Sequence, residues 1–144
     1  MTAHHQRGVT LMELLTVIVI LGILASIAFP SYRTYLIRAQ RAEAKTALLQ
    51  LQAAQEKFYL NGNSYTDAVT DDPPAGLGLP GISESGKYDI TVELGDDGQS
   101  YTVTAAPTAD GGQEDDSFCG SLSLTDTGVR GISGDSGHLA ECWR

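Results

Sequence analysis

Eighteen Asp and Glu against nine Lys and Arg give this 144-residue chain a net charge of −9, a balance that speaks against nucleic acid or an anionic surface as the main partner. The length is that of one domain with a modest core, and two cysteines without a third, and without a CxxC, argue against a cysteine-built metal site. The imbalance is uneven: residues 31–60 carry five basic side chains (Arg33, Arg38, Arg41, Lys45, Lys57) and two acids, whereas residues 61–144 carry three basic and fifteen acidic ones.

Val9 to Phe29 is an apolar run of 21 residues with a single charge, Glu13, near its start. As a helix it is about 31 Å long, the thickness of a bilayer core. Three kinds of processing fit such a run. One is a secretory signal, with Arg7 as n-region, Leu14–Leu24 as h-region and Ser26-Ile27-Ala28 as cleavage site. The second is a plain single-span anchor. The third is a leader removed ahead of the apolar run, which then stays in the mature protein. Glu13 discriminates among them, because a carboxylate beside an h-region opposes insertion without helping cleavage. Within lipid it costs about 2.5–3.5 kcal/mol, which marks it as functional. Only Arg7 precedes the span, while Arg33, Arg38, Arg41 and Lys45 follow it. Taken alone, the positive-inside rule therefore places the C-terminal part in the cytoplasm.

The helical pattern continues beyond Pro30. Ala44, Ala47, Leu48, Leu51, Ala54 and Phe58 recur at steps of three or four, a stripe that packs under a sheet. Asn61-Gly62 is a natural stop. A helix over Val9–Leu60 would run about 78 Å, too long for a small globule to cover, so its first half requires lipid or other subunits. Pro30 removes a backbone donor and is expected to kink or locally melt the helix, with Gly22 as a second weak point.

Residues 61–86, rich in Gly, Pro and Asp, read as a surface loop. Asp67, Asp71 and Asp72 do not have EF-hand spacing and read as solvated charges. Lys87–Leu94 alternates, with Tyr88, Ile90, Val92 and Leu94 on one face. Gly95-Asp96-Asp97-Gly98 turns the chain, and Ser100–Ala106 alternates again, which predicts a β-hairpin. Ser121–Thr125 predicts a third strand, and the Gly- and Ser-rich tail 129–144 offers little packing of its own. Cys119 and Cys142 remain either an oxidised pair or two free thiols. His4 and His5 fall in the leader of the third reading, and His138 has no Cys or acid at triad spacing. With no GxSxG, P-loop, HExxH or paired-carboxylate pattern, we expect no enzyme, cofactor or metal.

Gly8 followed by Val9, then Thr10-Leu11, Glu13 and Leu14, a long apolar helix, and Phe29-Pro30-Ser31-Tyr32 together resemble the type IV pilins, especially the small PilE-type minor pilins of Gram-negative bacteria. Ser121-Leu122-Ser123-Leu124-Thr125 and Ala140-Glu141-Cys142-Trp143 resemble the same family. The resemblance implies cleavage by prepilin peptidase after Gly8 and N-methylation at Val9, a position usually held by Phe. Glu13 would be the fifth mature residue, paired with the N-terminal amine of a neighbouring subunit, and capping of its own helix is the simpler alternative. A Cys119–Cys142 disulfide would close the tail at a worth of about 3 kcal/mol and would place the domain in the periplasm, against the charge rule.

The expected architecture is α+β: a leader over 1–8, a membrane or filament-core helix half over 9–30, an amphipathic half over 31–60, a loop over 61–86, and a sheet with a disulfide-bounded end over 87–144. The expected role is a structural subunit, inserted in the inner membrane and polymerised with other pilins by the pilus assembly machinery. Three alternatives stand beside it: a type II secretion pseudopilin, a competence pilin that binds DNA, and a periplasmic domain freed after Ala28.

Overall fold

The computed structural model describes residues 9–109 and 113–144; Gly8, His4 and His5 lie outside them. The chain divides into two compact units, Met1–Leu36 and Ile37–Arg144, and helix α1, Leu11–Gly62, belongs to both.

In the first unit every residue from Val9 to Tyr35 is exposed, and the helix is long and apolar enough to cross a membrane. Its Ser and Thr hydroxyls are satisfied locally: Thr16 donates to the Met12 carbonyl at 2.8 Å, Ser26 to Ile23 at 2.7 Å, Ser31 to Ile27 at 3.3 Å and Thr34 to Pro30 at 3.1 Å. This back-bonding lets Ser and Thr sit in an apolar helix without an unpaired donor. The helix does not melt at Pro30 or Gly22; helical residues continue through both. What Pro30 does remove is the N–H that would bond the Ser26 carbonyl.

In the second unit Ala44, Leu48, Leu51 and Gln55 form the buried stripe of α1, spaced at four, three and four residues, with Ala47, Ala54 and Phe58 partly buried beside it. Against them lies an antiparallel sheet in the order β1-β2-β3-β4: Tyr88–Leu94, Tyr101–Pro107, Leu122–Thr125 and Arg130–Ile132. The first three strands fall within a residue of the expected ends. Pairing sets Ile90 opposite Ala105 and Val103 opposite Leu124, so the inward residues of each strand meet in one core. Tyr88 and Ile90 are buried, whereas Leu94, expected inward, is 38% exposed at the end of its strand.

Two expectations need correction. The tail is not loose: it supplies β4 and a short helix α2, Leu139–Cys142, and it buries Trp143, whose Nε1 donates to the Gly131 carbonyl at 3.1 Å. The loop 61–86 is not wholly surface either, because Val69 and Leu77 reach the core. It is tied down by two hydrogen bonds, from Leu77 N–H to the Ala68 carbonyl and from Leu79 N–H to that of Val69, both 2.9 Å. Gly76 is required there, since a Cβ would stand 2.4 Å from the Ala68 oxygen. Gln55, the polar member of the stripe, grips the same loop. Its Nε2 donates to the Thr66 carbonyl at 2.5 Å, and its Oε1 accepts from the Thr66 N–H at 3.1 Å.

Candidate assembly site

The α1 N-terminus is closed by its own side chains. Thr10 precedes the first helical residue, and its Oγ1 accepts from the Glu13 N–H at 3.2 Å. Glu13 Oε2 accepts in return from the Thr10 N–H and from its hydroxyl, both at 3.3 Å. This is a reciprocal capping box, satisfying donors that a helix start leaves open. Both contacts use Oε2, and Glu13 Oε1 meets no partner among the described residues. The spacing Thr10-x-x-Glu13 carries this signal in the sequence, and the capping alternative for Glu13 is the arrangement seen here. Val9, the expected new terminus, is 72% exposed. Gly22 faces open space where a Cβ would be.

A second cluster lies at the start of the α1 segment that belongs to the second unit. Arg38, Arg41 and Lys45 share one helix face, and with Glu141 and Arg144 they line a cleft of about 430 Å³. Arg41 is committed: its Nε and Nη2 donate to Asp116 Oδ2 at 3.0 and 2.6 Å. Lys45 Nζ donates to the Arg144 carbonyl at 2.5 Å. Burial first, then Arg41 and Arg130, pull the Lys45 ammonium below its usual range. Arg130 itself sits 5.1 Å over the Trp143 ring. Gln113, 76 positions from Ile37, donates from Nε2 to the Ile37 carbonyl at 3.1 Å and to the Tyr88 hydroxyl at 2.8 Å. Nothing in the sequence announces Gln113 or Asp116, because each acts on a helix far away along the chain.

Cys119 and Cys142 are joined as a disulfide, with Cα atoms 5.7 Å apart. The bridge ties the segment before β3 to α2, far in sequence from Glu13. His138 stands between two exposed carboxylates: its Nδ1 is 3.3 Å from Glu141 and its Nε2 is 3.8 Å from Asp135. Among the described residues no three His, Cys, Asp or Glu are grouped to hold a metal ion.

Residues 30–123 match the family model described as type IV minor pilin ComP, DNA uptake sequence receptor, and residues 3–29 match the prokaryotic N-terminal methylation motif. The chain is 38% identical over 108 residues to the type IV major pilin protein PilE1 of Neisseria gonorrhoeae, covering 74% of this chain and 46% of that protein. It is 34% identical over 110 residues to a fimbrial protein of Pseudomonas aeruginosa, covering 74% of this chain and 71% of that one. Against two gonococcal pilins the match takes in 46 and 60% of their own length. A type IV pilin from Shewanella oneidensis shares the fold with a TM-score of 0.51 at 21% identity, covering 75% of this chain and 98% of that one. An apolar exposed helix start, a helix-on-sheet unit closed by a disulfide, and a family model spanning residues 30–123 lead to one conclusion: the chain belongs to the type IV pilin family.

Proposed function

We propose that this chain is a minor structural subunit of a type IV pilus, cut by prepilin peptidase between Gly8 and Val9 and methylated at Val9. The observation that carries the reading is the exposed, largely apolar helix surface from Val9 to Phe29, with Glu13 its one charge, which the chain itself does not cover. Water is a poor solvent for such a surface, so lipid covers it before assembly and neighbouring helices cover it afterwards. The minor class is supported by the description of the matching family model. The disulfide supports a periplasmic location before assembly, since such bridges persist in oxidising compartments.

Cleavage would leave a charged α-amine at Val9, next to Thr10. In a filament core an unpaired charge of either sign is costly, whereas a paired one is tolerated. Glu13 can cap its own helix through Oε2 and still offer Oε1 to the amine of a neighbour. The missing bond at the Ser26 carbonyl makes Pro30 the place where the helix would bend on entering the filament.

A DNA-receptor role is the second reading, favoured by the description of the family model and by the cations at residues 38–45. Against it stand the acids around that cleft, Asp116 and Glu141.

Intact-mass measurement of the chain from sheared surface filaments and from inner membranes tests the main reading. A chain beginning at Val9 with one added methyl, present in both fractions, is expected. A chain beginning at Phe29, or one absent from filaments, overturns it.

A further inference from the structure

Arg38, Arg41 and Lys45 gather like charges on one helix face, an arrangement that destabilises unless something opposite in charge answers it. Asp116 answers Arg41 alone. Arg38 is exposed and makes no ion pair among the described residues. Lys45 donates to the main-chain oxygen of Arg144, and Glu141 at the rim bonds His138. Arg38 is therefore a cation of the cleft left without an acidic partner among the described residues, in a chain whose net charge is −9.

The opposite end of the same unit carries the complement. The β1–β2 turn, Asp96–Gly98, exposes Asp96 and Asp97, and neither makes an ion pair among the described residues. Asp97 has φ 67°, in the left-handed region, so the chain bends tightly there with both carboxylates exposed at the tip. Its place is set by the C-terminal end of α1. The Tyr65 N–H donates to the Gly98 carbonyl at 2.9 Å, and Gln99 bonds both the Asn63 carbonyl and the Tyr59 hydroxyl. From Lys45 to Tyr59 the helix rises about 21 Å, so cleft and turn cannot meet within one molecule.

We propose that the cationic cleft of one copy receives the Asp96–Asp97 turn of a second copy, a head-to-tail contact along the helix direction. A heterologous contact of this kind does not close on itself and generates an open filament. It also gives subunits of the same net sign an attractive register, since complementary patches fix orientation where overall charge would repel. The inference rests on the filament reading above and names the surfaces used.

The test compares full-length variants by their amount in sheared filaments relative to the membrane. Arg38→Glu and Asp97→Arg, each at wild-type level in the membrane, should each lose incorporation severalfold. The double variant Arg38→Glu/Asp97→Arg should recover it, and the single defects should deepen at low salt for the charge-reversed pairs. Normal incorporation of both single variants, or failure of the double variant to recover, overturns the contact while the filament reading stands. Normal incorporation of Arg38→Glu with loss of labelled duplex DNA from the filaments assigns the cleft to a polyanion and also overturns it. Absence of the wild-type chain from filaments removes both readings.

Discussion

Arg41 and Asp116, 75 positions apart, meet through two hydrogen bonds to a single carboxylate oxygen, with side chains 14% and 3% exposed. The other oxygen, Oδ1, accepts from the Cys119 N–H at 3.4 Å. One buried carboxylate thus joins the helix, the 113–116 turn and the disulfide segment. Breaking such a pair from one side strands a charge, at a cost of about 3–5 kcal/mol, whereas replacing both partners with apolar groups is nearly neutral. Arg41→Met should therefore lower the denaturation midpoint of the detergent-solubilised chain strongly, and Arg41→Met/Asp116→Leu should restore most of it. Equal losses in the single and double variants would show that the pair is not the organising contact.

Tyr101 gives a prediction in alkali. It is 2% exposed, its hydroxyl has no partner among the described residues, and burial, with Glu56, Tyr65 and Asp126 nearby, raises its pKa well above 10.0. Burial likewise raises that of Tyr88, in spite of the hydrogen bond from Gln113. For a group whose folded pKa lies above its unfolded value, the folded state holds the proton longer. Stability is then intact below pH about 10 and falls as pH climbs from there toward the folded value. Tyr101→Phe should flatten that fall. At neutral pH it should be neutral or slightly stabilising, since it deletes an unsatisfied buried hydroxyl. Denaturation midpoints at pH 7 and above pH 10 check both halves, and an unchanged alkaline slope would refute the assignment.

The legible parts of this fold are those whose signal is local. Alternation in 88–94 and 101–107 and the 44–48–51 stripe are local periodicities, and the strands and helix face follow them. Strand β4 has three residues, one of them glycine, and exists because Leu122 and Leu124 offer a ladder to Ile132 and Arg130. No window around Gly131 reveals that. Val69 and Leu77 sit singly among Asp, Pro and Gly, so their burial has no period to detect. Gln55 looks like a break in an apolar stripe, and its reason, the backbone of Thr66, lies eleven positions on. At the assembly site Glu13 stood out by charge, and its partner Thr10 was legible from the capping spacing. The cleft at Arg38, Arg41 and Lys45 was visible only in part, because Arg144 arrives through the fold of the tail.

The Cys119–Cys142 bridge spans 23 positions and closes the segment that carries β3, β4 and α2, ending one residue before Trp143. On the chain-entropy model its loss costs about 3 kcal/mol. Cys119→Ser or Cys142→Ser should lower the denaturation midpoint, reduce the amount of protein in the membrane, and leave Trp143 more accessible to quenchers than in the wild type. Wild-type stability in either variant, or free alkylation of both thiols in native protein without reductant, would remove the bridge from the account.

Glu13 has two tasks that substitution can separate. Capping needs an acceptor at its side chain, while pairing with an amine needs a charge. Thr10→Ala removes the hydroxyl that accepts from the Glu13 N–H and should cost about 1 kcal/mol of helix start, yet it keeps the carboxylate. Glu13→Gln keeps an acceptor for the Thr10 N–H and loses the charge. Glu13→Ala loses both and takes a costly charge out of lipid, so its membrane retention should be unchanged or stronger. If pairing governs assembly, Thr10→Ala should enter filaments nearly as well as wild type, whereas Glu13→Gln and Glu13→Ala should both be strongly depleted there while remaining cleaved and folded. The reason is that an incoming α-amine would then lie unpaired in an apolar core, at a cost of several kcal/mol. The ratio of filament to membrane protein reads this directly. Should Thr10→Ala fail as badly as Glu13→Ala while Glu13→Gln assembles, the carboxylate serves only its own helix.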